Sequence, residues 1–325
     1  MKLPVRSHRL FVNGIHLRAV LAGDGPLVVL VHGFPESWYS WRHQIQPIAS
    51  RGYRVCAIDV RGYGRSERPH DIAAYALSEL IEDVAGIVTL LGDGKPAVLI
   101  GHDWGAPIVW HTALVRPEKV RAVAGLSVPF MGIPPRPLDQ MLDERYTQRQ
   151  RFHYQVYFAQ EGVADAAFET DIRSTLRRIY YSASGDAPPG SWSNKSFGAA
   201  LLDGVPDPQP FPSWLTPRDI DYLVREFERS GFRGPLNRYR NHRRDFEFLQ
   251  PYRERKIEQP CLYIGGTRDL VLSMVPGGDP GAVMRANASD VRGVHMIDGC
   301  GHWTQQERPA ETTRYLLDWL DEIDR

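Results

Sequence analysis

The feature that most constrains the fold of this chain is a glycine-flanked aspartate that separates an apolar run from a helical pattern, within residues 97–106 (AVLIGHDWGA). The apolar run has the length of a strand, and Gly101, Asp103 and Gly105 lead directly into the helical pattern of residues 107–114. Glycines on both sides of Asp103 remove side chains that would collide where a strand and a helix meet closely, and they permit the strained backbone that exposes the residue between them. The pattern therefore predicts a nucleophile elbow with Asp103 as the nucleophile.

An aspartate at this position restricts the kind of substrate. Attack of a carboxylate on an ester carbonyl gives an anhydride, which lies uphill in free energy, whereas attack on a saturated carbon gives an alkyl ester that water can cleave. A serine fails in the opposite sense, because its alkylation leaves an ether that a hydrolytic triad does not reverse. Unless Asp103 lies in an ordinary β-turn, the sequence favours an alkylating substrate and argues against a serine-type esterase.

The overall charge argues against several kinds of partner. The chain has 325 residues, with 39 Lys and Arg against 39 Asp and Glu, so its net charge is zero and we expect neither nucleic acid nor a membrane as a partner. It has no apolar stretch long enough to span a bilayer, and its first nine residues lack the apolar core of a signal peptide. Three widely spaced cysteines, Cys56, Cys261 and Cys300, fit reduced thiols in a core better than disulfides or a zinc site. We therefore expect a soluble, cytoplasmic protein.

Apolar runs alternate with helical patterns at both ends of the chain. Asn13-Gly14 lies between two alternating segments and is a strong hairpin signal, so the first two strands should be antiparallel. Further strands are predicted at residues 27–31, 53–59, 97–100, 120–126, 261–264 and 293–297, and helices at 80–91, at 107–114 and from about residue 309, the last burying Leu316, Trp319, Leu320 and Ile323. This order predicts an α/β fold with a mostly parallel central sheet flanked by helices and joined by right-handed crossovers.

The alternation stops after residue 130. Residues 131–249 carry helical patterns and loops without a strong buried strand. We interpret them as a helical cap domain inserted between two parts of the core, residues 1–130 and residues 250–325.

Within this insertion, three local patterns predict structure. Four apolar residues at helical spacing should share one helix face: Phe168, Ile172, Leu176 and Ile179. Residues 216–231 predict a helix that begins with a capping threonine and a proline and ends at a glycine. Residues 185–213 are rich in Pro, Gly and Ser and predict a long surface loop.

Three residues with the chemistry of a triad each follow a predicted strand: Asp103, Asp269 and His302. In an open α/β sheet the carboxyl ends of the strands meet at one edge, so these side chains should lie close together. Their order along the chain, with the nucleophile first, the acid second and the histidine last, is typical of one class of hydrolytic triad. No acidic residue follows the strand at 120–126, so Asp269 is the candidate acid.

Six segments extend this pattern over nearly the whole chain. In the core they are HGFPE at 32–36, GYGRS at 62–66, GHDWGA at 101–106 and GHW at 301–303, and in the insertion they are FHYQVYF at 152–158 and SGFRGPLNRYRN at 230–241. On these segments the chain resembles the α/β-hydrolase superfamily and, within it, the soluble epoxide hydrolases. The resemblance implies that Tyr154 and Tyr239 are the tyrosines that open the epoxide ring. It also implies that the extra N-terminal phosphatase domain of some vertebrate relatives is absent.

These residues together imply a two-step hydrolysis that needs no metal and no organic cofactor. Asp103 attacks an epoxide carbon while Tyr154 and Tyr239 hold the ring oxygen, because an alkoxide is too poor a leaving group without such help. His302, oriented by Asp269, then deprotonates the water that cleaves the resulting ester and releases a vicinal diol.

The backbone should supply the remaining stabilisation. We expect the oxyanion formed during ester hydrolysis to lie between the backbone N–H groups of Phe34 and Trp104. Phe34, Trp104, Tyr154 and Tyr239 are also the residues expected to contact the substrate. His102, inside the elbow motif, is the neighbouring residue most suited to support the site.

Three other functions compete with this interpretation. A haloalkane dehalogenase also carries Asp-Trp at its elbow and holds a halide there, but Phe34 stands where such enzymes usually place a halide-binding polar residue, and the two tyrosines argue against it. A fluoroacetate dehalogenase would be expected to have Arg in place of Trp104. A non-catalytic ligand receptor on the same scaffold is disfavoured by the complete triad.

The sequence leaves several properties of the enzyme open. They are the epoxide that it uses, its stereochemistry and regiochemistry, the choice between monomer and homodimer, and the choice between detoxification and catabolism.

Overall fold

The computed structural model describes residues 3–192 and 195–325, and one eight-stranded sheet lies at the centre of this part of the chain. Its strands are β1 (Arg6–Val12), β2 (Ile15–Ala22), β3 (Leu27–Val31), β4 (Arg54–Ile58), β5 (Ala97–His102), β6 (Val120–Leu126), β7 (Cys261–Gly266) and β8 (Val291–Ile297). Across the sheet they follow the order β1-β2-β4-β3-β5-β6-β7-β8. Strand β2 is antiparallel to both of its neighbours, and the other adjacent pairs are parallel. The predicted antiparallel first pair and mostly parallel sheet are confirmed.

Helices connect these strands and fill the long interval between β6 and β7. They are α1 (Ile45–Ser50), α2 (Leu77–Leu91), α3 (Gly105–Val115), α4 (Leu138–Arg145), α5 (Tyr154–Phe158), α6 (Val163–Glu169), α7 (Ile172–Ser182), α8 (Pro217–Ser230), α9 (Arg233–Asn237), α10 (His242–Leu249), α11 (Pro280–Asn287), α12 (Thr304–Glu307) and α13 (Pro309–Ile323). Short 3-10 helices lie at Trp38–Trp41, Ile72–Tyr75, Pro117–Lys119, Thr147–Arg149, Arg238–Arg240, Gln250–Tyr252, Leu270–Met274 and Pro276–Gly278.

Two apolar layers cover the sheet, one on each face. In β3, Val29 and Val31 belong to one layer and Val28 and Leu30 to the other, because successive side chains of a strand point to opposite faces. Helices α2, α3 and α11 complete the first layer, and α1 and α13 complete the second. The helices that flank both faces confirm the predicted α/β architecture.

The interval between β6 and β7 contains helices α4 to α10, and within residues 127–192 and 195–260 it adds no strand to the sheet. Helix α8 begins as predicted, since Thr216 and Asp219 exchange capping hydrogen bonds of 3.2 and 2.8 Å between side chain and backbone. It ends at Gly231, whose φ of 66° suits glycine. We refer to residues 131–249 as the helical segment; their assignment as a separate cap domain, with its boundaries, stays a prediction.

The single helix face predicted from Phe168 to Ile179 is wrong. The structure divides this stretch into α6 and α7, because the Asp171 side chain accepts a hydrogen bond of 2.9 Å from the Ser174 N–H and so starts a new helix. Ile172 is only half-buried as a result, whereas Phe168, Leu176 and Ile179 remain buried.

The segment predicted as a long surface loop, residues 185–213, has no helix or strand in its described parts, and several of its residues are buried rather than exposed. In the described parts of this loop, 185–192 and 195–213, Trp192, Leu201 and Val205 are buried. The loop is tied down by hydrogen bonds, among them one of 2.7 Å from Arg178 in α7 to the Val205 carbonyl. Its apolar side chains therefore pack inward although its Pro and Gly content prevents regular structure.

Three of the four residues predicted to be buried in the last helix are buried. Leu316, Trp319 and Leu320 of α13 are buried, but Ile323, the last residue of that helix, is only half-buried. The three cysteines are free and buried, as expected for core thiols. None of the helices in the described residues has the length and apolar character needed to cross a membrane.

Candidate active site

The elbow around Asp103 depends on glycines that allow close backbone contact. Asp103 follows β5 directly and has a φ of 50°, in the left-handed region that few residues other than glycine adopt. A side chain on Gly105 would overlap the Val31 carbonyl oxygen, and a side chain on Gly101 would overlap the backbone of Gly105. A side chain on Gly33 would collide with Asp103 itself. The strand and helix α3 can therefore meet closely enough to present Asp103 at the edge of the sheet.

The structure brings Asp103, Asp269 and His302 into one hydrogen-bonded row. His302 Nδ1 lies 3.0 and 3.1 Å from the two carboxylate oxygens of Asp269, and His302 Nε2 lies 3.2 Å from Asp103 Oδ2. Asp269 follows β7, and its Oδ1 also accepts a hydrogen bond of 2.9 Å from the Val271 N–H. Asp269 and His302 are buried, so Asp269 is held in place to orient the imidazole.

The charges of neighbouring side chains shift the pKa values of His302 and Asp103. Burial opposes a charge on His302, but the Asp269 and Asp103 carboxylates hold the pKa of His302 well above its ordinary value. Burial likewise opposes a charge on Asp103, but the hydrogen bond and charge of His302, together with the Phe34 N–H, lower the pKa of Asp103. Without substrate, the site thus contains an ionised nucleophile beside an imidazolium.

The two oxygens of the Asp103 carboxylate have different partners. Oδ2 faces His302, whereas Oδ1 accepts a hydrogen bond of 2.7 Å from the Phe34 backbone N–H. The Trp104 backbone nitrogen lies close by, 2.7 Å from the point that a Cβ on Gly33 would occupy. Oδ1 therefore occupies the neighbourhood in which the sequence predicted an oxyanion site.

A small apolar cavity opens in front of Asp103 and His302. Its volume is about 40 Å³, and its walls are largely aromatic: Phe34, Pro35, Tyr154, Phe158, Ile179, Ala183, Trp192, Tyr239, Leu270, Val271 and Trp303. A wider groove of about 620 Å³ between the first hairpin and α2 contains none of the predicted site residues. The cavity is therefore the only one of these two spaces that a reacting group on Asp103 can use.

Both predicted tyrosines line this cavity. Their ring centres are 6.4 Å apart and the rings are inclined by 80°. Burial, reinforced by the Asp103 charge, raises the pKa of both phenols, so each keeps its proton near neutral pH. Gln155 donates a hydrogen bond of 3.1 Å to the Tyr154 hydroxyl oxygen, which leaves the Tyr154 proton free for another acceptor. Two hydroxyl donors thus share the cavity with the carboxylate.

The side chain of Trp104 has a different position from the other predicted substrate-binding residues. It is absent from the wall of the cavity in the described residues and lines a second space, of about 10 Å³, behind it. There its ring centre lies 5.3 Å from that of Tyr239. A direct contact between the Trp104 ring and a substrate stays a prediction.

A buried hydrogen-bonded pair below the triad, His102 and Glu36, was not assigned from the sequence. His102 Nδ1 lies 2.6 Å from Glu36 Oε1, and His102 Nε2 lies 2.8 Å from the His302 carbonyl oxygen, which also accepts a hydrogen bond from Ser127. Burial opposes ionisation of Glu36, but the charge and hydrogen bond of His102 lower the pKa of Glu36. Both residues lie in the motifs quoted above, but nothing in their spacing indicates that they pair.

In the described part of the chain, no cluster of three or more His, Cys, Asp or Glu suits a metal ion.

Comparisons with known proteins identify the family of the chain. A family model described as the alpha/beta hydrolase fold matches residues 26–309. The chain is 41% identical to epoxide hydrolase A of Mycobacterium tuberculosis over 315 residues, which cover 95% of each chain. Among solved structures, it is similar to an epoxide hydrolase from an endophytic Streptomyces, with a TM-score of 0.93 at 40% identity over 98% of this chain and 96% of that one. It is also similar to an epoxide hydrolase from Vigna radiata, with a TM-score of 0.88 at 33% identity over 98% of each chain.

Proposed function

This chain belongs to the α/β-hydrolase family and, within it, to the epoxide hydrolases, and we propose that it converts an organic epoxide and water to a vicinal diol through a covalent ester on Asp103. The observation that carries the proposal is the shared cavity: one ionised carboxylate and two protonated phenols, Tyr154 and Tyr239, face the same apolar space. A carboxylate that attacks carbon and hydroxyl donors that receive the displaced oxygen are the two requirements for opening an epoxide.

In the first step, Asp103 Oδ2 forms a bond to a ring carbon and the bond between that carbon and the ring oxygen breaks. The ring oxygen takes a proton from Tyr154 or Tyr239, which becomes a phenolate. The product of this step is a hydroxyalkyl ester. Esterification removes the Asp103 charge, one of the two carboxylate charges that raise the pKa of His302, so this pKa falls and the imidazolium proton can restore the phenol.

In the second step, neutral His302 takes a proton from a water molecule, and the oxygen of that water adds to the ester carbonyl carbon of Asp103. The negative charge develops on the oxygen that was Oδ1, which already accepts the Phe34 N–H and lies near the Trp104 N–H. The ester bond then breaks, the leaving oxygen takes the proton from His302, and the diol departs. Asp103, now a carboxylic acid, returns its remaining proton to His302, so the starting state is restored.

The wider organisation of the protein is part of the same proposal. Residues 131–249 form a helical cap domain over a core made of residues 1–130 and 250–325. The protein acts in the cytoplasm as a monomer or homodimer, where its three buried thiols stay reduced. Its partner is a small epoxide rather than nucleic acid or a membrane.

Trapping of the ester tests this function directly. The variant His302→Gln keeps the nucleophile and both tyrosines but lacks the base, so incubation with an aryl epoxide should add the mass of one epoxide to the protein. Peptide mapping should place this mass on the peptide that contains Asp103. The matched control is Asp103→Asn with His302→Gln, which should gain no mass because an amide is a poor nucleophile.

A parallel incubation with a haloalkane separates the competing activities. An adduct from the epoxide supports the proposed function. An adduct from the haloalkane alone would identify a dehalogenase and leave the two tyrosines without a catalytic role. No adduct from either reagent, with intact binding of the epoxide, would favour a ligand receptor.

A further inference from the structure

We propose that Arg238 is a positioning residue whose buried guanidinium holds the Trp104 ring, and through it Tyr239 and the oxyanion site, in the reactive arrangement. The inference rests on the proposed function, because it concerns the same cavity. It assigns a role to a buried charge that the mechanism above does not use.

Arg238 contacts the wall behind the cavity. It immediately precedes Tyr239 in a 3-10 helix, and its side chain is buried. The central carbon of its guanidinium lies 4.5 Å from the centre of the Trp104 ring, a cation–π distance that is favourable in a site shielded from water. The Trp104 ring in turn meets the Tyr239 ring at 5.3 Å and 83°. Arg238 therefore touches the residue that joins one ring-opening phenol to the oxyanion site.

The guanidinium is itself fixed by contacts on its other side. It forms an ion pair with Asp245 and donates a hydrogen bond of 3.2 Å to the Tyr75 carbonyl oxygen. Asp245 also accepts a hydrogen bond of 2.7 Å from the N–H of Leu77, the first residue of α2. Because α2 packs on the sheet, Arg238 connects the Trp104 ring to the rigid core. A paired and anchored arginine of this kind can hold a ring in one orientation.

The charge of Arg238 also acts on groups around the site. Burial and the Asp103 carboxylate raise the pKa of the Tyr63 phenol, whereas Arg238 lowers it, so both charges act on the same side chain. Burial and the Arg238 charge lower the pKa of His242 to about 3, and the His242 ring lies 6.0 Å from that of Trp104. His242 is therefore neutral near pH 7, and the positive charge beside the Trp104 ring is that of the Arg238 guanidinium.

The test compares Arg238→Met with Arg240→Met. Arg240 flanks Tyr239 on the opposite side and is also paired, with Asp165, but it has no cation–π contact with Trp104 among the described residues. The single-turnover rate of ester formation with an aryl epoxide should fall at least about tenfold in Arg238→Met, with KM changed less than about twofold, because small displacements of reacting groups are costly. Arg240→Met should stay within about twofold of the wild-type rate. Arg238→Lys, which keeps the charge, should recover part of the loss.

Tryptophan fluorescence gives a second measurement that does not depend on activity. Arg238→Met should change the emission of the protein, and the same substitution should change nothing when Trp104 is already Phe. Should Arg238→Met fail to fold, Arg238→Met with Asp245→Asn serves instead, since it leaves no unpaired charge and keeps an acceptor for the Leu77 N–H.

The outcomes separate this inference from the proposed function. If the wild-type protein forms no ester with epoxides, the proposed function fails, and the fluorescence comparison still reports on the contact between Arg238 and Trp104. If the wild-type protein reacts but Arg238→Met and Arg240→Met are slowed equally, the inference is overturned and both arginines are merely structural. An emission change that persists without Trp104 also overturns it.

Discussion

Asp103 presents one carboxylate oxygen to His302 and the cavity and the other to the backbone of Phe34. In the proposed mechanism, this division gives Oδ2 the attack on carbon and Oδ1 the later oxyanion. A carboxylate free to rotate would have to find both arrangements in turn, at a cost in rate. The individual residues of the site therefore lead to two predictions, one about its proton donors and one about its base.

Replacement of both Tyr154 and Tyr239 by Phe should reduce epoxide opening by about 10⁴-fold or more, and either single replacement by about 10²-fold, because in the proposed mechanism each phenol stabilises the displaced oxygen. The single-turnover rate of ester formation measures this loss, and circular dichroism checks that the fold persists. Tyr157, on the same helix as Tyr154 but outside the cavity wall, is the matched control, and Tyr157→Phe should react normally. Activity retained by the double variant would show that other groups donate the proton.

Asp103→Asn should lower the pKa of His302, because it removes one of the two carboxylates that raise it and leaves Asp269 as the other. At a pH between the two values, His302 is charged in the wild-type protein and neutral in the variant. Titration of the imidazole carbon-bound protons by NMR measures both values. An unchanged His302 pKa would remove the proposed reason why esterification turns His302 into a base.

The elbow is the element that the sequence predicts best, because all its determinants lie within a few residues. Glycine at positions 101 and 105 is required by contacts with backbone that no rearrangement of side chains can relieve. The break between α6 and α7 was missed because an apolar spacing continues across it, and a single capping aspartate, Asp171, outweighs that spacing. Local pattern thus predicts the presence of a helix better than its continuity.

Other parts of the site depend on contacts between distant segments, which no local pattern contains. Glu36 and His102 lie 66 positions apart in the chain, and Gln305 donates a hydrogen bond to Glu36 across 269 positions. Similarly, the Trp192 side chain enters the cavity from a loop whose composition predicts exposure. The proximity of Asp103, Asp269 and His302 could be predicted from residue types after strands, but the buried groups that surround them could not.

Gly105→Ala should destabilise the protein by about 3 kcal/mol or more, because the new methyl group overlaps the Val31 carbonyl oxygen and neither strand nor helix can move freely. Gly162→Ala is the matched control: a Cβ there meets nothing within 4 Å, and only the backbone conformation, with φ of 79° and ψ of −37°, opposes the change, so a smaller loss of about 1–2 kcal/mol is expected. Urea unfolding of both variants measures the difference. A loss in Gly105→Ala no larger than that in Gly162→Ala would show that the contact between strand and helix does not limit the elbow.

The cavity in front of Asp103 and His302 leaves little room for a substrate. The cavity of about 40 Å³ is small beside the roughly 300 Å³ or more of typical ligand pockets, so a substrate that carries a ring needs some wall residues to move. Helix α8 is firmly attached to the core: the Tyr222 hydroxyl accepts hydrogen bonds from Trp38 at 2.7 Å and from Arg18 at 3.2 Å. Residues 185–192, which supply Trp192, form no helix, and the Trp192 side chain is the part of the wall that we expect to move.

Arg18 joins the sheet to α8, since its guanidinium lies 2.9 Å from Glu226 and 3.3 Å from Asp59. Arg18→Met should cost about 3 kcal/mol of unfolding free energy at pH 7, because it leaves two buried carboxylates without their cation. Burial and Asp59 already raise the pKa of Glu226, and loss of Arg18 raises it further. A carboxyl group with a higher pKa in the folded state binds its proton more tightly there, so its destabilising effect is complete above that pKa and fades as the pH falls.

The unfolding free energy of Arg18→Met falls below that of the wild-type protein by an amount that we call the deficit. This deficit should therefore be smaller at pH 5 than at pH 7, as measured by urea unfolding of both proteins at each pH. In Arg18→Met with Glu226→Gln, which has no titrating group at this position, the deficit should depend much less on pH. Arg9→Met removes an exposed partner of Glu67 and should change stability by less than about 0.5 kcal/mol. An equal deficit of Arg18→Met at both pH values would exclude the charge of Glu226 as its cause and would leave the lost ion pair with Asp59 or the packing of Arg18 against Trp38 as its source.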